Sequence, residues 1–338
     1  MSKLKNVSLS LFFKFLQHKT VEDALVSLIQ RATRKPSLSQ NYTNPYLDTS
    51  NQIQPNNQDR AIFITGRFRS GSTLLWNIFR QIPLFTSYYE PFNERRWFDT
   101  AGRGSKVDKT HLGVEDYWTE YNGLANLDKY YDENWISENL FMDSATVLPA
   151  MEAYIQELIS HAKGMPVLQF NRIDFRLPWL RSHFPSASIL HIYRHPRNQF
   201  CSCIGTQNTN KDSVVKKFHD GFYLNLWCED LKKQYPFLAK KITPHPYMRF
   251  YYLWKLSYIF GKEYADYSIC FETLCQEPET ILKETFQALK LTPEIPSKCL
   301  ELIVQQDQTK WTRFADDQWF SEIEQHCERQ LDQYFPVR

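Results

Sequence analysis

The segment Gly66-Arg67-Phe68-Arg69-Ser70-Gly71-Ser72-Thr73-Leu74-Leu75 constrains this chain more than any other. A strand-like apolar run, Ala61-Ile62-Phe63-Ile64-Thr65, precedes it. Leu74-Leu75-Trp76-Asn77-Ile78-Phe79-Arg80 follows, with apolar residues at helical spacing. Strand, glycine-framed turn and helix together set backbone N–H groups and a helix N-terminus around an anion. Gly66 and Gly71 permit the tight path, while Ser70, Ser72 and Thr73 add hydroxyl donors and Arg69 a forked, permanent cation. A nucleoside-triphosphate loop reads G-x-x-x-x-G-K-S/T. Here Ser72 holds the lysine position and the cation stands three residues earlier, so the spacing points to a phosphate ester other than Mg·ATP. Taken alone, the segment also reads as a plain strand-to-helix turn.

The rest of the chain alternates short apolar strands with helices. Strand patterns lie at Pro166 to Phe170, Ser188 to Tyr193 and Tyr267 to Phe271. Helical patterns lie at Thr146 to Ala162, Leu177 to Phe184, from Pro196, at about 213–235 and 247–265, and from Pro278 to Leu289. Such alternation predicts an α/β fold, a doubly wound, mostly parallel sheet with helices on both faces. Residues 1–35 read as an amphipathic helical extension, with docking to a membrane surface or partner as the alternative to packing on its own domain. The Ser-, Asn-, Gln- and Pro-rich stretch 36–58 reads as a linker, and 59–338 as the main domain. Within it, 100–143 lacks a sustained period and reads as a long insertion with short helices, of the kind that shapes a substrate pocket.

Forty Lys and Arg against 38 Asp and Glu leave almost no net charge, which argues against broad nucleic-acid binding. Seven cysteines, an odd number in a long chain, make no disulfide framework and point to a reducing, cytoplasmic compartment. The apolar stretch Leu9 to Leu16 is interrupted by Lys14 and too short to span a membrane, so no transmembrane anchor or signal peptide is expected.

A second constellation strengthens the anion reading of the loop. In Tyr193-Arg194-His195-Pro196-Arg197-Asn198-Gln199-Phe200-Cys201-Ser202, Arg194 stands at the carboxyl edge of a strand, where doubly wound sheets bind ligands. Ser202 lies two turns into the helix that begins at the same edge. Two anion sites on one sheet edge suit a nucleotide with phosphate at both ends. Together these residues resemble the sulfotransferases that use 3′-phosphoadenosine 5′-phosphosulfate (PAPS). In that family a loop of the form Arg-Ser-Gly-Ser/Thr-Thr holds the 5′-phosphosulfate, and a later Arg with a Ser eight residues on holds the 3′-phosphate. Arg69 to Thr73, with Leu74 after them, match the first motif, and Arg194 and Ser202 match the second. The resemblance extends through Phe271-Glu272-Thr273-Leu274, Pro278-Glu279, Lys310-Trp311 and the terminal helix near Ile323 to Leu331, so it covers roughly 60–335. It implies a P-loop-like fold, PAPS as co-substrate, no metal, and a hydroxyl-bearing small molecule or glycan as acceptor. Lys310 and Trp311 would close over the cofactor. Gln169 departs from the pattern, standing where many relatives carry a lysine.

Tyr88-Tyr89-Glu90-Pro91-Phe92 follows the first helix and a short apolar run that returns Glu90 to the ligand edge. Carbohydrate and tyrosylprotein sulfotransferases have a Glu in a similar position as general base, and the resemblance implies the same role for Glu90. The alternative for Glu90 is a solvated acidic pair with Glu94, balanced by Arg95 and Arg96. A histidine base, as in aryl sulfotransferases, leaves His111 as the competitor. Beyond sulfuryl transfer, a non-catalytic nucleotide-binding module and a nucleotide kinase stay open, the latter opposed by the missing loop lysine.

Overall fold

The computed structural model describes residues 60–205 and 210–335, so the expected N-terminal helix and the linker lie outside the described residues. In chain order the main elements are β1 (Ile62–Thr65), α1 (Ser72–Arg80), β2 (Phe85–Tyr89), α2 (Pro149–Ser160), β3 (Met165–Phe170), α3 (Leu177–His183), β4 (Ser188–Tyr193) and α4 (Pro196–Ile204). Then come α5 (Lys211–Lys217), α6 (Leu224–Leu231), α7 (Pro246–Tyr264), β5 (Tyr267–Cys270), α8 (Phe271–Gln276), α9 (Pro278–Ala288), α10 (Ser297–Glu301) and α11 (Asp317–Tyr334). The five strands form one sheet in the order β2-β3-β1-β4-β5, and every pairing is parallel.

Strand residues are buried on both faces, as a covered parallel sheet requires. Ile62 and Ile64 of β1 pack on one side with Leu75, Ile78 and Phe79 of α1 and Leu282 and Phe286 of α9. Phe63 points to the other side, among Leu168, Leu180, Phe184 and Leu253. The register decides which residues leave the sheet together. Thr65 is level with Phe170 and His191, Tyr89 with Gln169, and Tyr193 with Cys270. Consequently Gly66, Glu90, Asn171, Arg194 and Phe271 all emerge at one carboxyl edge.

Where the sequence pattern predicts a helix over 213–235, the structure has two, α5 and α6, separated by Phe218 to Tyr223. Asp220 ends the continuity: its carboxylate accepts from the N–H groups of Leu224 and Asn225 at 2.6 and 2.8 Å, starting a new helix. Tyr223 takes a left-handed conformation at this break (φ 60). The insertion 100–143 contains three 3-10 turns rather than α-helices, at Thr119–Tyr121, Ala125–Lys129 and Glu133–Ile136. Arg80, in the last turn of α1, clamps it through Glu120 and Asp116 at 2.7 and 2.9 Å. Buried Arg176 donates to the carbonyls of Trp135, Glu138 and Asn139 at its far end.

Candidate active site at the carboxyl edge of the sheet

The loop between β1 and α1 closes tightly. Gly66 approaches β4 so nearly that a Cβ there would lie 2.6 Å from the Ile192 carbonyl oxygen. Gly71 caps α1 at φ 99, and a Cβ on it would enter the ring of Phe271. No side chain caps α1, so its first-turn N–H groups at Ser72, Thr73 and Leu74 face the cleft that these residues line. Ser70 is fully buried with a hydroxyl lacking a partner, and its N–H closes the turn on the Arg67 carbonyl at 3.1 Å.

Arg69, at the rim of the loop, adopts φ 65. Its Nε donates to Ser202 Oγ at 2.9 Å, and Arg194 Nη1 donates to the Arg69 carbonyl at 3.4 Å. Arg194 also lies over the Phe271 ring, 4.7 Å from its centroid. The carboxylates nearest the two guanidiniums are only loosely engaged: Asp108 at 3.9 Å from Arg69 and Glu272 at 3.9 Å from Arg194. Burial lowers the pKa of Arg194, opposed by Glu272 and reinforced by the Arg69 charge. Two like charges thus lie side by side, one on the Ser202 hydroxyl and one on the Arg69 carbonyl, without close counter-ions, an arrangement that favours an anion beside them.

Glu90 occupies a different corner, also with positive φ (37). It is 5% exposed and held by side chains: Asn171 donates to Oε1, Asn93 to Oε2, Arg172 Nη1 to Oε2 at 2.9 Å, and the Tyr89 hydroxyl also hydrogen-bonds to the carboxylate. Arg95 and Arg96 are engaged elsewhere, with the Lys106 carbonyl and with Asp99 and Asp128. The solvated-pair alternative therefore gives way to a buried, ion-paired carboxylate. Asn171 Oδ1 accepts from Ser72 Oγ at 2.8 Å and from Gln169 Nε2 at 2.9 Å, linking loop to carboxylate. Gln169, where a lysine was a family expectation, brings no charge here.

His111 of the insertion lines the same cleft, with Nδ1 2.5 Å from the Tyr117 hydroxyl. Burial lowers its pKa, Asp108 opposes the shift and Arg69 adds to it, so the imidazole is neutral near pH 7. Lys310 lines the cleft from the C-terminal side, together with Leu302, Val304 and Phe314. Trp311 does not: its ring carries the Arg197 guanidinium at 4.8 Å and meets Phe320 at 5.6 Å. Arg197 in turn grips α11 through Glu324 and Asp317 at 2.8 and 2.6 Å. The open cleft has a volume of about 1540 Å³, beyond the roughly 300–1,000 Å³ of a common single-ligand pocket.

A model of the sulfotransferase family matches residues 61–253, more than half of the chain. This chain belongs to the sulfotransferase family. Solved structures similar to this sulfotransferase include STF9 from Mycobacterium avium, at 13% identity over 84% of this chain and 78% of that one, with a TM-score of 0.43. The sulfotransferase domain of the Synechococcus PCC 7002 olefin synthase matches at 16% identity over 84% and 89%, TM-score 0.37. A sulfotransferase from Alicyclobacillus acidocaldarius matches at 14% over 81% and 95%, TM-score 0.38. No curated protein matches the chain.

Both sequence motifs of the sulfotransferase reach one cleft, and Glu90 lies on its wall. Asn171 and Arg172 were missed by sequence reasoning. Their only signal was position, directly after β3 at the edge where β1 and β4 also end. Among the described residues no group of three or more His, Cys, Asp or Glu side chains is placed to hold a metal ion, and no helix is long and apolar enough to cross a membrane.

Proposed function

We propose that this sulfotransferase moves the sulfuryl group of PAPS to an acceptor hydroxyl by in-line displacement, without a metal, with Glu90 as general base. Arg69 on the Ser202 hydroxyl, with Arg194 against the Arg69 carbonyl, beside the uncapped N-terminus of α1, carries the reading. It supports a 3′-phosphate at Arg194 and Ser202 and a 5′-phosphosulfate over the N–H groups of Ser72 to Leu74. The cleft's size also fits a nucleotide with room left for an acceptor. Lys310, on the C-terminal wall, adds a cation to this side. Trp311 is assigned a bracing role beneath Arg197 instead of a cofactor contact.

When bound, PAPS supplies a sulfuryl group on a phosphate leaving group. Glu90 takes the proton of the acceptor hydroxyl as the new oxygen–sulfur bond forms. The loop N–H groups and Arg69 stabilise charge gathering on the departing phosphate oxygen, which is positioning plus preorganised electrostatics. Seven free thiols support a reducing, cytoplasmic setting.

The test is transfer of radiolabelled sulfate from PAPS to a panel of hydroxyl acceptors. Glu90→Gln should lower turnover by about 10²–10⁴-fold and leave binding of 3′-phosphoadenosine 5′-phosphate intact. Undiminished transfer in that variant would remove Glu90 from the role and assign it to His111, the neutral imidazole on the same cleft.

A further inference from the structure

Glu94 takes no part in the chemistry above, yet it shares a partner with the base. Arg172 Nη1 donates to Glu90 Oε2 at 2.9 Å, and Arg172 Nη2 donates to Glu94 Oε2 at 2.7 Å. One guanidinium is thus divided between two carboxylates instead of gripping either with both nitrogens. The two carboxylates differ sharply in environment. The Glu90 side chain is 6% exposed and that of Glu94 43%, although both line the cleft. Arg172 itself is 2% exposed, with the rings of Phe68 and Tyr223 at 5.1 and 5.5 Å from its centre. A planar head packed in this way is a rigid spacer and fixes how far apart the two carboxylates stand.

Resting on the assignment of Glu90 as base, we propose that Glu94 is a second acceptor-recognising carboxylate. The acceptor it selects is a polyol, with a hydroxyl neighbouring the one that receives sulfate. A carboxylate accepts hydrogen bonds and donates none, and with about four acceptor sites Glu94 is not filled by Arg172 and Tyr223 alone. Its exposed side therefore offers acceptor sites to the cleft, alongside the base. A simple alcohol or a phenol has one donor and satisfies Glu90 only. A sugar ring has a further donor on the next carbon, which Glu94, on the other nitrogen of the same guanidinium, is there to accept. A half-exposed carboxylate on this wall also repels an acceptor with an anion beside the reacting hydroxyl.

The experiment compares wild type, Glu94→Gln and Glu94→Ala with radiolabelled PAPS. The acceptors are methyl hexosides, their deoxy analogues lacking one hydroxyl, and para-nitrophenol as a single-donor acceptor. Wild type should sulfate a hexoside, and loss of the neighbouring hydroxyl should raise KM about ten- to hundredfold. Glu94→Ala should impose the same rise on the parent sugar and no further rise on that deoxy analogue, with Glu94→Gln in between. Affinity for 3′-phosphoadenosine 5′-phosphate should stay unchanged in both variants, which also reports that they are folded. Transfer to para-nitrophenol alone, or an unchanged KM for the hexoside in Glu94→Ala, would overturn the inference and leave sulfuryl transfer standing. Failure of wild type to pass label from PAPS to any acceptor would overturn both.

Discussion

Asn171 sits between the β1–α1 loop and the Glu90 carboxylate, the proposed base. It accepts from Ser72 and Gln169 and donates to Glu90, so one amide fixes the base relative to the first residue of α1. Asn171→Ala removes that tie and leaves Glu90 with Asn93, Arg172 and Tyr89. Turnover should fall about ten- to hundredfold through misplacement of the base, with 3′-phosphoadenosine 5′-phosphate bound as before. Steady-state kinetics beside calorimetry checks this, and unchanged turnover would make the amide merely structural. Arg69, Ser202 and Glu90 were legible in the sequence because motif spacing places them on known turns of a strand–loop–helix unit. Asn171 and Arg172 were not, because their role depends on β2 pairing with β3 at Tyr89 and Gln169, a long-range register that no local pattern encodes. Arg69 shows a related limit. Its place in the loop could be read, but not its φ of 65 or its hydrogen bond to Ser202.

The loop and α1 form the element on which the site depends, and two contacts fix its course. Gly71 holds φ 99 against the Phe271 ring, so Gly71→Ala carries both a backbone penalty and a clash. It should cost about 1–3 kcal/mol of stability, measured by urea unfolding, and weaken nucleotide binding as the N-terminus of α1 shifts. An alanine variant as stable as wild type would contradict the fit of loop to β5 and α8. Most element positions were readable from apolar periodicity, and β4 begins and ends where the pattern puts it. The pattern failed at α5 and α6 because apolar spacing continues across a break that the Asp220 carboxylate imposes. It was also weak in the insertion, whose short 3-10 turns are ordered by Arg80 and Arg176 rather than by their own period.

Across the whole molecule, the parallel sheet lets chain segments far apart in sequence meet at one edge, and the same burial makes the fold sensitive to acid. Burial, aided by Lys262, pushes His191 down to about 3 from 6.5. Below about pH 6.5 the unfolded chain binds a proton that the folded chain refuses, so this contribution is whole above that pH and is lost as pH falls toward 3. His195 and His245 are also lowered by burial and act in the same direction. Urea unfolding at about pH 7 and about pH 4.5 should therefore show a smaller loss on acidification in His191→Asn than in wild type. An identical loss would exclude His191 from the effect. The parallel sheet and its helices were legible because alternation of strand and helix leaves few arrangements. Which side chains complete the cleft was not, since the insertion and the C-terminal segment reach it only through tertiary contacts. On the proposed function, the cleft takes a nucleotide with phosphate at both ends. Calorimetry of the wild-type protein with 3′-phosphoadenosine 5′-phosphate and with adenosine 5′-phosphate tests it most directly. The bisphosphate should bind about a hundredfold tighter, with most of that difference lost in Arg194→Ala; equal affinity for the two nucleotides would contradict the account.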